Sequence, residues 1–148
     1  MGVINVVKAI KEVHSEEIAL IEIGNFYYVY GKDSYIISYL FGYHLKQIEN
    51  IYSCAFPKKS LNKIIATLQN KKINYIIVSR RNNYEIIEKS NKKNVNKYNE
   101  YFSKSKKYIL IKNRINNIND YLNNNINEKD IKEIINEIEK IINERRKI

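Results

Sequence analysis

Two short apolar runs on either side of a Gly-Asn pair constrain this chain more than any other feature. Ile18 to Ile23 is almost continuously apolar, the pattern of a strand buried on both faces. Phe26-Tyr27-Tyr28-Val29-Tyr30 is dense in aromatic and β-branched side chains, which favour strands. Gly24-Asn25 between the runs predicts a β-hairpin, with Gly24 supplying the positive φ of a tight turn. Strand alternation puts Phe26, Tyr28 and Tyr30 on one face and Tyr27 and Val29 on the other. One core cannot serve both faces without burying phenolic hydroxyls. Either helices cover both faces and the hydroxyls reach the surface, or Phe26, next to the turn, is presented to a partner.

The flanking sequence supplies helices. Ile4, Val7, Ile10 and Val13 recur at helical spacing over residues 3–13. Asp33 is placed to cap a helix over residues 34–41, with Tyr35, Ile36, Tyr39 and Leu40 on one face and Gly42 at its end. Residues 44–55 suggest one irregular strand. Pro57 and Ser60 mark the start of a helix over 58–69, where Leu61, Ile64, Ile65 and Leu68 fit the amphipathic template. Tyr75–Val78 and Tyr84–Ile87 read as strands on either side of Arg80-Arg81-Asn82-Asn83. The order α-β-β-α-β-α-β-β predicts an α/β fold, a mixed sheet with flanking helices, over residues 1–90.

Residues 91–148 read as a basic, Asn-rich linker followed by C-terminal helices. Nine basic side chains lie between 89 and 114 (Lys89, Lys92, Lys93, Lys97, Lys104, Lys106, Lys107, Lys112, Arg114) against one acid, Glu100. They suit either a solvated helix face or a stripe of phosphate contacts. Ile111, Ile115, Ile118 and Leu122 predict a helix broken at 123–125. A last helix over 128–146 carries Ile131, Ile134, Ile135, Ile138, Ile141 and Ile142. That stripe can pack on the domain, pair with the preceding helix or dimerise.

The chain's 148 residues carry a formal charge of +10, which favours polyanionic partners. Ile, Asn, Lys and Tyr, all with AT-rich codons, make up 84 of the 148, so the lysine excess has a compositional source as well. One cysteine, Cys54, excludes an intrachain disulfide framework and points to a reducing, cytoplasmic setting. With only His14 and His44 beside it, a finger-type zinc site cannot be built. No apolar run approaches a membrane span, and residues 1–6 lack a signal-peptide or myristoylation pattern. No phosphate-binding glycine loop, dinucleotide turn or nucleophile elbow occurs, so no cofactor is expected. A Cys54–His44 pair is arithmetically available as a nucleophile and base, but a small buried cysteine is the simpler reading.

Residues 3–90 resemble the N-terminal mismatch-recognition domain of MutS proteins. The resemblance rests on ordered pieces: His14-Ser15-Glu16 after the first helix, the strand Ile18–Ile23, and Gly24-Asn25-Phe26-Tyr27-Tyr28. Asp33, Phe41-Gly42-Tyr43-His44-Leu45, Cys54-Ala55-Phe56-Pro57 and Tyr75-Ile76-Ile77-Val78 follow. In that family the Phe of Gly-x-Phe-Tyr-Glu stacks on a mispaired base from the minor groove, and the Glu two residues on hydrogen-bonds to it. The resemblance therefore implies that Phe26 is a stacking wedge and that Tyr28 stands where the family has Glu. Lys32, Lys58, Lys59, Arg80 and Arg81, at turns and a helix start, are the expected phosphate contacts. Family members continue into connector, clamp and ATPase domains, of which this sequence carries no counterpart. The implied function is non-enzymatic binding of double-stranded DNA, mismatched or distorted. The alternative is a protein-interaction module that forms a homodimer or engages another protein through residues 127–148.

Overall fold

The computed structural model describes residues 2–91 and 95–147. Two compact units divide at residue 109/110. The first holds α1 (Val3–Val13), β1 (Ile18–Ile23), β2 (Phe26–Tyr30), α2 (Lys32–Phe41), β3 (Lys46–Ile48), β4 (Ile51–Pro57), α3 (Leu61–Asn70), β5 (Tyr75–Ser79) and β6 (Glu85–Lys89). It also takes the start of α4 (Tyr98–Asn124). The sequence places a boundary near residue 90, whereas here the unit runs on to Ile109, with Tyr98, Ser105 and Ile109 buried.

The six strands form one sheet in the order β3-β4-β2-β1-β5-β6. β1 and β5 are parallel and the other neighbours antiparallel, so the sheet is mixed as expected. Side-chain alternation divides its two faces between two cores. Ile18, Leu20, Tyr27, Val29, Phe56, Tyr75 and Ile77 join Ile36 and Ile37 of α2, Ile64 and Leu68 of α3, and Tyr98 of α4. On the other face Ala19, Ile21, Ile76 and Val78 pack with Val7, Val3 and Ile10 of α1. One helix thus covers the second face and three cover the first, which is why β1 and β5 lack polar alternation.

Four local expectations are corrected. Residues 44–55 hold most of a hairpin: β3 and β4 are joined at Glu49-Asn50, which both adopt positive φ (48° and 66°). That is the two-residue turn matched to strand twist, built without glycine. Pro57 ends β4, and a 3₁₀ turn over Lys58–Ser60 precedes α3. The helix expected around Ile111 starts at Tyr98, and the last helix at Ile131. Asp33 is the fourth. It lies within the first turn of α2, makes no cap, and its carboxylate is buried.

Asp33 instead joins four elements. Its Oδ2 accepts from the Ala19 N–H of β1 at 3.0 Å. Its Oδ1 accepts from Lys11 Nζ of α1 at 3.0 Å and from the Tyr98 hydroxyl of α4. Lys11 also donates to the Glu17 carbonyl and lies over the Tyr98 ring. A charge buried this deeply is tolerable only when paired and hydrogen-bonded, and here each donor comes from a different element.

The second unit comprises α4 from Leu110 onward, the turn after Asn124, and α5 (Ile131–Arg146). Ile131 is buried, Ile134 and Ile138 are half-buried, and Ile141 and Ile142 are exposed. Among the described residues no helix is long and apolar enough to cross a membrane.

Tyr98→Phe removes one donor from a carboxylate that stays buried, and should cost about 1–3 kcal/mol in urea unfolding. The pH dependence has a definite sign. Burial pushes the Asp33 carboxyl above its ordinary value, against Lys11, the Ala19 N–H and Tyr98, which pull it down. The folded chain then binds that proton more tightly than the unfolded chain. Asp33's contribution to stability therefore falls as pH rises from about 4 through the raised folded value. Asp33→Asn should remove this component from stability measured across that range.

Candidate nucleic-acid interface

The topology brings five of the seven expected site residues to one end of the sheet. β1 and β5, being parallel, both end there, and β4, antiparallel to β2, ends there too. The hairpin turn Gly24-Asn25, Phe26 at the start of β2, Lys58 and Lys59 after β4, and Arg80 and Arg81 after β5 therefore share that end. Gly24 has φ +61°, a conformation glycine adopts without steric cost. A shallow depression is lined by Glu22, Gly24, Asn25, Lys58, Arg80 and Arg81, so the turn and the basic side chains converge.

Backbone hydrogen bonds tie these segments together. The Lys58 N–H donates to the Asn25 carbonyl at 3.1 Å, and the Arg80 N–H to the Glu22 carbonyl at 3.1 Å. Lys58 Nζ bonds to Glu22 Oε1 at 2.9 Å, which offsets part of its charge. Arg80 and Arg81 are exposed and have no carboxylate partner among the described residues. Their turn ends in Asn83 and Tyr84, both at positive φ (56° and 59°). Positive φ is uncommon for a bulky aromatic and marks a tightly curled segment.

Phe26 is 45% exposed, whereas Tyr27 beside it is 6% exposed and stacks on Phe56 at 5.5 Å between centroids. The alternation read from the sequence thus sorts the aromatics as follows: Tyr27 and Val29 enter the main core, while Phe26, Tyr28 and Tyr30 form a strip on the α1 face. Tyr28 lies 6.5 Å from Phe26 and 6.4 Å from Tyr30, ring to ring. It is half-buried, and its hydroxyl makes no hydrogen bond among the described residues. Burial pushes the Tyr30 hydroxyl above its ordinary value, with Tyr28 and Tyr84 adding to the effect and Arg80 opposing it.

The residues 1–108 match the family model described as MutS domain I. The chain belongs to the MutS domain I family. No curated protein matches it at a significant level. At the family level this is the mismatch-recognition domain of MutS proteins, whose partner is DNA. The mixed sheet with flanking helices agrees with that assignment.

Lys32 stands apart from the others. It opens α2 at the opposite end of β2, and its Nζ lies 5.1 Å from the Phe102 ring centre. Of the basic run, Lys92 and Lys93 fall outside the described residues. Lys89 ends β6, opposite Ile76, and so lies at the far end of the sheet from Phe26. Lys104 lies over Tyr101 on α4. Cys54 is buried, its thiol pushed up to about 12 by burial and Asp33, while His44 is exposed. Asn25, which lines the depression with the basic side chains, was not among the expected residues. Its place in the hairpin turn was the available signal.

Truncating Phe26 to Ala should change folding stability little, because an exposed ring loses few contacts. Tyr27→Ala, one residue away on the core face, should cost on the order of 3–5 kcal/mol. Denaturant unfolding of the two variants checks this partition.

Proposed function

We propose that the chain is a non-enzymatic DNA-binding module that reads distorted or mismatched duplex. Phe26 is the stacking wedge, and Arg80, Arg81, Lys58 and Lys59 hold phosphates on either side of it. The observation that carries the reading is the exposure of Phe26 at the end of the sheet where Arg80 and Arg81, with no carboxylate partner among the described residues, gather. An aromatic side chain placed among cations can enter a weakened base step while the cations fix the duplex backbone. Tyr28 takes the position of the family's carboxylate. A phenol both donates and accepts, and it brings no charge to repel the duplex. Replacing the carboxylate should therefore weaken discrimination between mismatched and matched DNA more than it weakens binding.

Fluorescence anisotropy with matched and mismatched duplexes, at several salt concentrations, tests the proposal. Phe26→Ala should lose roughly 1–3 kcal/mol of binding, the usual size of a base–aromatic stack. Changing Arg80 and Arg81 together to Gln should flatten the log–log salt slope by about 2, one unit per lost phosphate contact. Tyr28→Glu should raise the preference for the mismatched duplex. Binding that ignores both Phe26→Ala and salt would reject the reading.

A further inference from the structure

The other end of β2 carries a second concave site, and nothing in the DNA-binding reading uses it. A cavity of about 270 Å³ opens between α1, the β2–α2 junction, the start of β4 and Tyr98. It lies wholly within the first unit. Its walls are apolar, formed by Ile4 and Val7 of α1, Tyr30, Ile51 and Tyr98. Ser15 and the Gly31 backbone add neutral polar groups, and the charged groups are of one kind. Lys8 and Lys11 of α1 and Lys32 of α2 line it, and no carboxylate does.

The α1 contribution follows from helix geometry. Ile4, Val7, Lys8 and Lys11 stand at i, i+3, i+4 and i+7, on one face of the helix. The face shares Ile4 and Val7 with the apolar spacing of Ile4, Val7, Ile10 and Val13, and carries two lysines beside them. The three lysines are not equivalent. Lys11 is neutralised by Asp33 and fixed in place. Lys32 lies over the Phe102 ring and has no carboxylate partner among the described residues. Lys8 is exposed and has no carboxylate partner among the described residues. The site thus offers two available positive charges beside an apolar hollow.

We infer that this cavity binds a small amphipathic anion: a flat, apolar body of one or two rings carrying a phosphate or a carboxylate. The volume lies just below the range of about 300–1,000 Å³ usual for drug-sized ligands, which sets the size of the body. Tyr30 offers a ring surface to it, Ile4, Val7 and Ile51 complete the apolar wall, and Lys8 and Lys32 meet its charge. The site does not depend on Phe26 or on the arginine turn.

NMR titration of the ¹⁵N-labelled full chain tests the inference with probes that share one ring system and differ in charge. 1-Naphthyl phosphate and 1-naphthoate should bind saturably, with the largest amide shifts at Lys8, Lys11, Tyr30 and Gly31. 1-Naphthol and 1-naphthylmethylammonium should bind at least tenfold more weakly. Inorganic phosphate alone should not saturate the site. A tenfold preference between the two anions would identify the group as phosphate or carboxylate. Lys8→Glu, at an exposed position that leaves the fold intact, should weaken the anions about tenfold, and Phe26→Ala should leave their affinity unchanged. Equal binding of all the naphthyl probes, shifts centred elsewhere, or an unchanged affinity in Lys8→Glu would each overturn the proposal.

Discussion

The buried Asp33 carboxylate is the constraint on which the first unit's arrangement depends. A carboxylate at 1% exposure needs donors, and the chain delivers them from α1, β1 and α4. No two of these elements are adjacent in sequence except α1 and β1. Removing α4 would therefore leave the carboxylate short of the Tyr98 hydroxyl, and moving α1 would leave it without the Lys11 ammonium. This explains why residues beyond 90 belong to the unit: Tyr98 completes an interaction that the sheet and first two helices leave open. The family match to residue 108 agrees with that physical boundary.

The sheet was largely legible in the sequence because its signals are local. Ile18–Ile23, Phe26–Tyr30 and Tyr75–Val78 are short runs of strong strand formers, and Gly24 marks the turn between the first two. The β3–β4 hairpin was not legible. Glu49-Asn50 lacks the glycine that usually signals such a turn, and β3 is only three residues long, all exposed. Asp33 was misread for a different reason. An Asp at a helix start is most often a cap, and what turned this one inward was a tyrosine sixty-five residues away. Tertiary donors of that kind leave no mark on local sequence. The C-terminal half was harder still, since an Ile stripe at helical spacing does not state what covers it.

The shared placement of the candidate residues was legible in part for a topological reason. Turn residues between strands were the natural candidates for phosphate contact, and parallel pairing of β1 with β5 brings two such turns to one end. Lys32 also stands at a junction, but at the opposite end of β2. Sequence alone does not show which end of a strand a turn residue reaches until the neighbours of that strand are known.

The aromatic strand itself raises a question of register. Phe-Tyr-Tyr-Val-Tyr could place either set of rings in the core, and a slip of one residue would exchange every side chain between faces. Three features remove the ambiguity. Val29, without a hydroxyl, is fully buried on the same side as Tyr27. Tyr27 is opposite Phe56 and stacks on it, and its hydroxyl reaches Glu22 at 3.4 Å, so the core side has a polar outlet for its phenol. Gly24 and Gly31, both at φ +61°, bound the segment at fixed points, so the turn and the entry into α2 cannot shift without placing a side chain in the left-handed region. With the register fixed in this way, Phe26 falls on the α1 face directly after the turn, where it is 45% exposed. Its exposure is then a consequence of how its neighbours are buried, and the position of the Phe26 ring is held by Tyr27 and Val29 as firmly as the core is.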